Sequence, residues 1–105
     1  MKMLIEKIKT LSKKYAPEFI LVRRHIHANP ELSYQEFETS KFVQKKLTEL
    51  QIPFEVKATT GVVGLIKGKN HDKKIVALRA DMDALPIREE NDVDYKSKKE
   101  GIKHA

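Results

Sequence analysis

The run Ile75-Val76-Ala77-Leu78 constrains this chain more than any other stretch. Four apolar residues, two of them β-branched, stand between a polar segment from Gly68 to Lys74 and Pro86. Such a run reads as a strand, Lys74 to Ala80, buried on both faces. Asp81 and Asp83 follow at once. Unpaired carboxylates are costly to bury, so a core strand running into two of them is expected to end at a polar cleft. Ligands of open α/β sheets bind just beyond strand carboxyl ends. If the backbone is still extended there, positions 81 and 83 point to the same side. Two carboxylates so placed can orient a metal-ligand histidine, hold a metal or do acid–base work. The same residues also suit a turn, accepting backbone hydrogen bonds ahead of Pro86.

Upstream, helical signals dominate. Leu4, Ile8, Leu11 and Tyr15 recur at spacings of three or four and predict an amphipathic helix over residues 3–15. Pro17 either opens a second helix, with Glu18 in its first turn, or kinks a continuous one. Phe19, Val22 and Ile26 carry the apolar face on to Asn29-Pro30, a helix stop. His25 and His27 are two apart and do not share a helix face, so they read as basic groups at a helix C-terminus rather than as a chelate. Ser33-Tyr34-Gln35-Glu36 fits a capping box, with Leu32 and Phe37 as its hydrophobic staple. The helix it opens is expected to run to about Leu50, with Phe37, Ser40, Val43, Leu47 and Leu50 as a core seam.

Strand signals follow. Phe54 to Lys57 alternates as a half-buried strand, Thr59-Thr60-Gly61 is a turn, and Val62 to Ile66 is a second strand. Gly64 within it suggests a bulge or a close backbone approach. The polar loop from Gly68 to Asp72, holding an exposed His71, is expected to join this second strand to Lys74–Ala80 as an antiparallel hairpin. Gly61, Gly64 and Gly68 are followed by no helix start and make no phosphate cradle. Beyond Pro86 the chain reads as a polar loop, basic from Lys96 to Gly101.

The 105 residues suffice for one small domain, with no internal repeat or linker. Cysteine is absent, which suits a cytoplasmic location. No apolar stretch approaches a membrane span, and Glu6, Lys7 and Lys9 break up any secretory leader. The formal net charge is +6. Its lysines are spread and interleaved with acids, without the aromatics that single-strand binders use. A solvated surface is therefore expected, with neither nucleic acid nor membrane as partner.

Three stretches together resemble a known family. Arg23-Arg24-His25-Ile26-His27-Ala28-Asn29-Pro30-Glu31-Leu32-Ser33-Tyr34-Gln35-Glu36 is similar to the R-x-x-H-x-x-P-E-L-[SG]-x-x-E opening of metal-dependent amidohydrolases. Thr60-Gly61-Val62-Val63-Gly64 resembles their T-G-V-x-[AG] segment, and Arg79 to Ile87 resembles R-A-D-[MI]-D-A-L-P-[IL]. His104-Ala105 matches the first two letters of H-A-C-G-H-D. That family, of the aminoacylase/carboxypeptidase type, includes N-acyl-amino-acid amidohydrolases, hippurate hydrolases, acetyldiaminopimelate deacetylases and plant auxin-conjugate hydrolases.

The resemblance implies an α/β fold: N-terminal helices, then part of a central sheet of about three strands. Residues 1–105 would be the N-terminal portion of a two-metal, peptidase-like catalytic domain, without its lid. It implies two divalent ions (zinc, manganese, cobalt or nickel) in the parent enzymes, a bound water activated between them and a glutamate base. The implied substrates are N-acyl amino acids or small peptides, and the parent enzyme is a candidate homodimer. Asp83 aligns with the aspartate that orients a metal-ligand histidine in related carboxypeptidases. Asp81 occupies the position where those relatives place the histidine itself, and is the weaker of the two catalytic candidates. The remaining ligands of the family have no counterpart here, so this chain alone is expected to bind no metal and to be inactive. The alternative is a truncated or decayed gene product with a structural or interaction role.

Overall fold

The computed structural model describes residues 1–70 and 72–105; the expectation of an exposed His71 lies outside them. Helix α1 spans Lys2–Ala28, helix α2 Phe37–Glu49, strand β1 Phe54–Lys57 and strand β2 Gly61–Gly64. This is a partial α/β piece, as expected, but its sheet has two strands rather than three among the described residues.

Helix α1 is one helix with Pro17 inside it. It ends where the Asn29 side-chain amide donates to the His25 carbonyl oxygen at 2.8 Å. Pro30 follows, fully buried, and blocks another turn. Leu4, Ile8, Leu11 and Tyr15 do share a stripe, but the stripe is exposed. Only from Val22 onward does α1 sink into the molecule.

The start of α2 corrects the expected capping box. The helix begins at Phe37, with Glu36 at its cap position and no capping bond from the Glu36 side chain. Glu31 takes that part from outside the helix. Its carboxylate accepts from the Thr39 N–H and the Thr39 hydroxyl, each at 2.6 Å, and from the Glu38 N–H at 3.2 Å. A full negative charge that binds several free amides at the positive end of a helix outcompetes a neutral serine hydroxyl. The expected core seam of α2 is realised in its middle, at Ser40, Val43 and Leu47, while Phe37 and Leu50 at its ends are exposed.

Strands β1 and β2 pair antiparallel with Phe54 opposite Gly64 and Lys57 opposite Gly61. The expected hairpin between the second strand and Lys74–Ala80 does not form, and residues 74–80 belong to no strand. Residues 58–60 close the observed hairpin at a smaller entropic cost than residues 65–73 would close the other. A run apolar on both faces also needs cover on both, which one extra pairing edge does not supply. Gly61 is required by the turn, since a Cβ there would stand 2.7 Å from the Lys57 carbonyl oxygen. A Cβ at Gly64 would stand 3.5 Å from side-chain atoms of Leu47 in α2 and of Ile52 after it, so the strand lies close to the end of that helix.

Beyond the sheet, single backbone contacts hold the chain. Leu32 and Ala84 form an isolated parallel bridge, with the Ala84 N–H on the Glu31 carbonyl oxygen at 2.7 Å. Leu85 and Lys103 exchange N–H···O bonds of 2.8 and 2.9 Å. The Lys98 N–H reaches the Ala28 carbonyl oxygen at 2.9 Å. Residues 84–104 thus wrap the C-terminal end of α1.

Candidate functional site

The bridge at Ala84 sets the geometry of the site. It pins the chain directly after Asp83 against the loop that leaves α1, and Ala84 is buried. Asp81 and Asp83 consequently line one cavity of about 480 Å³. Its opposite walls come from Ser33 and Glu36 ahead of α2 and from Thr60 and Gly61 at the hairpin. The two carboxylates share a cavity without a strand to carry them.

Their environments differ. Asp81 is exposed and pairs with the exposed Arg79 guanidinium at 3.3 Å, an interaction worth at most about 1 kcal/mol. Asp83 is half-buried. Its negative charge acts on His104, which burial, helped by the charge of His27, pushes below the ordinary histidine value while Asp83 pulls it up. The His104 Nε2 is buried without a hydrogen-bond partner among the described residues. The Oε1 of Glu36, a residue only 9% exposed that lines the same cavity as the aspartates, is likewise without one.

A second cluster lies beside the first at the end of α1. His27 Nε2 meets Glu89 Oε1 at 2.9 Å, and Lys103 Nζ stands 3.4 Å from Glu89 Oε2. The hydrogen bond to His27 holds the Glu89 carboxyl below its ordinary value; burial opposes this, and the charges of His27 and Lys103 reinforce it. Tyr95 packs edge-on to His27, with its ring 4.6 Å from the Arg24 guanidinium. His25 faces elsewhere and stacks on Phe42 at 4.4 Å. The two histidines therefore diverge, as their spacing implies.

Local sequence patterns announce neither the Glu31 cap nor the His27–Glu89–Lys103 cluster. No periodicity signals a pair 62 positions apart. The one available clue was the placing of Glu31 directly after Pro30, where a carboxylate precedes a helix start.

Among the described residues no group of three or more histidines, aspartates and glutamates is arranged to hold an ion. A stable site needs about four ligands, so these residues alone do not make one. No helix among the described residues is long and apolar enough to cross a membrane.

No model of a protein family matches the chain. Individual proteins do. It is 52% identical over 104 residues to thermostable carboxypeptidase 2 of Saccharolobus solfataricus, covering 97% of this chain and 26% of that protein. It is 52% identical over 89 residues to the hippurate hydrolase of Campylobacter jejuni, covering 84% of this chain and 23% of that protein. A Bacillus subtilis crystal structure, described as a dinuclear metal binding peptidase of the M20 family, matches with a TM-score of 0.81 and 41% identity. The match covers 88% of this chain and 26% of that one. The chain thus spans about a quarter of the length of the curated relatives it matches.

Proposed function

We propose that this chain, which belongs to the M20 family of hydrolases and matches their N-terminal portion, forms the first part of the catalytic domain of a cytoplasmic, metal-dependent amidohydrolase. The substrates are N-acyl amino acids or small peptides. One observation carries the reading: the fold match to a dinuclear peptidase runs across the cavity in which Asp81 and Asp83 converge. Names of relatives support it, one a carboxypeptidase and one a hippurate hydrolase. Both reactions break an amide bond next to a carboxylate-bearing residue.

In this reading Asp83 is a positioning residue. Half-buried and fixed by the adjacent Ala84 bridge, it presents a charge of constant direction to His104 and to the chain that follows. A carboxylate fixes the tautomer and orientation of an imidazole that donates a hydrogen bond to it. Asp81, paired with Arg79 at the surface, contributes less. The two divalent ions, from among zinc, manganese, cobalt and nickel, take donors from outside the described residues, no three of which are arranged to hold an ion. No catalytic step is therefore assigned to the chain by itself.

The test is a covalent chimera in which these residues replace the matching quarter of the Saccharolobus carboxypeptidase. Metal-dependent release of amino acid from N-acyl amino acids or peptides is the expected result. A folded chimera that binds two ions and hydrolyses none of these substrates overturns the proposal. Hydrolysis by the 105-residue chain alone would overturn the assignment of the ion donors to other residues.

A further inference from the structure

Glu89 is the most deeply buried side chain of the charged cluster at the end of α1, at 7% exposed. Its carboxylate is engaged at both oxygens. Oε1 meets His27 Nε2 at 2.9 Å, and Lys103 Nζ stands 3.4 Å from Oε2 as an ion pair. The three residues come from separate parts of the chain: α1, the segment after Pro86 and the stretch that returns at 103. Lys103 is fixed a second time, through its backbone, which exchanges N–H···O bonds with Leu85, two residues past Asp83. His104 follows directly, its ring 6.3 Å from that of His27.

The charges show what Glu89 does there. Without it, the Lys103 ammonium and the His27 imidazole would share a largely covered pocket, both cationic whenever His27 is protonated. Removing one partner of a buried ion pair leaves the other charge uncompensated. An uncompensated Lys103 regains hydration by swinging out, and the 103–104 segment is then held by the Leu85 backbone bridge alone. The place of His104 matters because charges from two elements act on it. His27, on α1, lowers its pKa, and Asp83, ahead of the Ala84 bridge, raises it. Arg24, the remaining cation of the cluster, stands over the Tyr95 ring.

We propose that Glu89 is a positioning residue of the hydrolase site, which clamps the Lys103–His104 segment to the end of α1 by pairing with His27 and Lys103 at once. Its link to turnover rests on the family reading above; the placement of His104 rests on the contacts alone. In this role Glu89 acts through His104, whose ring it keeps in the field of Asp83. A carboxylate suits the task because it is acceptor-only and charged, so each oxygen can face a different cation. A glutamine in its place can accept from His27 but turns an amide donor toward Lys103 and offers it no charge.

The experiment follows the His104 ring by NMR against pH in the 105-residue chain, and turnover in the covalent chimera. In the otherwise unsubstituted chain Asp83→Asn should lower the His104 pKa, since the lost negative charge favours the protonated ring. In a Glu89→Gln chain the same Asp83→Asn change should leave His104 unmoved, because the ring has left the field of Asp83. Lys103→Met, which leaves Glu89 bonded to His27, should give the same result, and the two substitutions together no more than either alone. In the chimera each should lower kcat at least about tenfold with KM unchanged. A His104 that still answers to Asp83→Asn in a folded Glu89→Gln or Lys103→Met chain overturns the inference, whatever the change in melting temperature. So does a His104 that ignores Asp83 in the unsubstituted chain. Unchanged kcat in an active chimera overturns it too, as does unfolding by both substitutions, which would make the cluster a requirement of folding only. An inactive unsubstituted chimera defeats the family reading, and the His104 titrations then decide the placement by themselves.

Discussion

Glu31 sits outside α2 and is still the group that starts it. Burial pushes its carboxyl up, but the Thr39 hydroxyl, the Thr39 and Glu38 amides and the Lys99 charge outweigh burial and hold it below its ordinary value of 4.5. The contribution to stability is therefore full above that value and is lost as pH falls through the lowered native value. Glu31→Ala should cost about 1–3 kcal/mol at neutral pH. It should also flatten the acid limb of the stability profile, as followed by thermal melts from neutral to acid pH. An acid limb unchanged by the substitution would show that another carboxylate governs it. The sequence pointed to Ser33 and Glu36 because a capping box is a local pattern. A cap that reaches in from eight residues away is legible only once the loop is folded. For the aspartates the sequence was a better guide, since a two-residue spacing needs only local geometry to bring them into one cavity. In the chimera, Asp83→Asn should lower turnover about 10–100-fold with little change in melting temperature. Asp81→Asn should lower it no more than about threefold, as expected for an exposed ion pair. Equal losses of turnover and stability at Asp83 would make its role structural.

At the scale of elements, the turn of the β1–β2 hairpin places two strained residues side by side. Ala58 and Thr59 both have positive φ, 52° and 70°. That region disfavours side chains with a Cβ and is least suited to a β-branched one. Thr59→Gly should stabilise the chain by roughly 0.5–1 kcal/mol net of the entropy glycine adds to the unfolded state. Gly61→Ala should destabilise it by about 1–3 kcal/mol, because its Cβ would meet the Lys57 carbonyl oxygen, a backbone atom that cannot step aside. Denaturant melts of the two variants check both signs. The two strands and their turn are legible because their signals lie within eleven residues, but the sequence pairs the second strand with 74–80, whereas it pairs with the first. The run at 75–78 was readable as a strand by composition and failed as one, since composition does not supply neighbours. Helix α1 shows the same limit. Its apolar stripe is real, yet no element covers the stripe over the first four turns.

For the whole molecule, the balance between long helix and small core sets where stability resides. The radius of gyration is 16.3 Å, against about 13 Å for a compact chain of this length. The buried apolar side chains are few, with Ala28 and Ala84 at the junction of α1, the loop after it and the 84–104 wrap. Packing is therefore concentrated at the C-terminal end of α1, where Glu31, the Leu32–Ala84 bridge and the His27–Glu89–Lys103 cluster also meet. None of these contacts has a local sequence signature, which is why the centre of the fold was less legible than its elements. The first half of α1 is exposed throughout, and Pro17, just beyond its midpoint, removes one helical hydrogen bond. Helices that rely on their own hydrogen bonds are marginal at about 12–15 residues. Amide exchange should therefore be fast over residues 2–15 and slow over residues 22–28 and the middle of α2. Deleting residues 1–10 should shift the melting temperature by no more than about 2 °C. Strong protection at residues 2–15 in the isolated chain would mean that the stripe of Leu4, Ile8 and Leu11 is covered in solution.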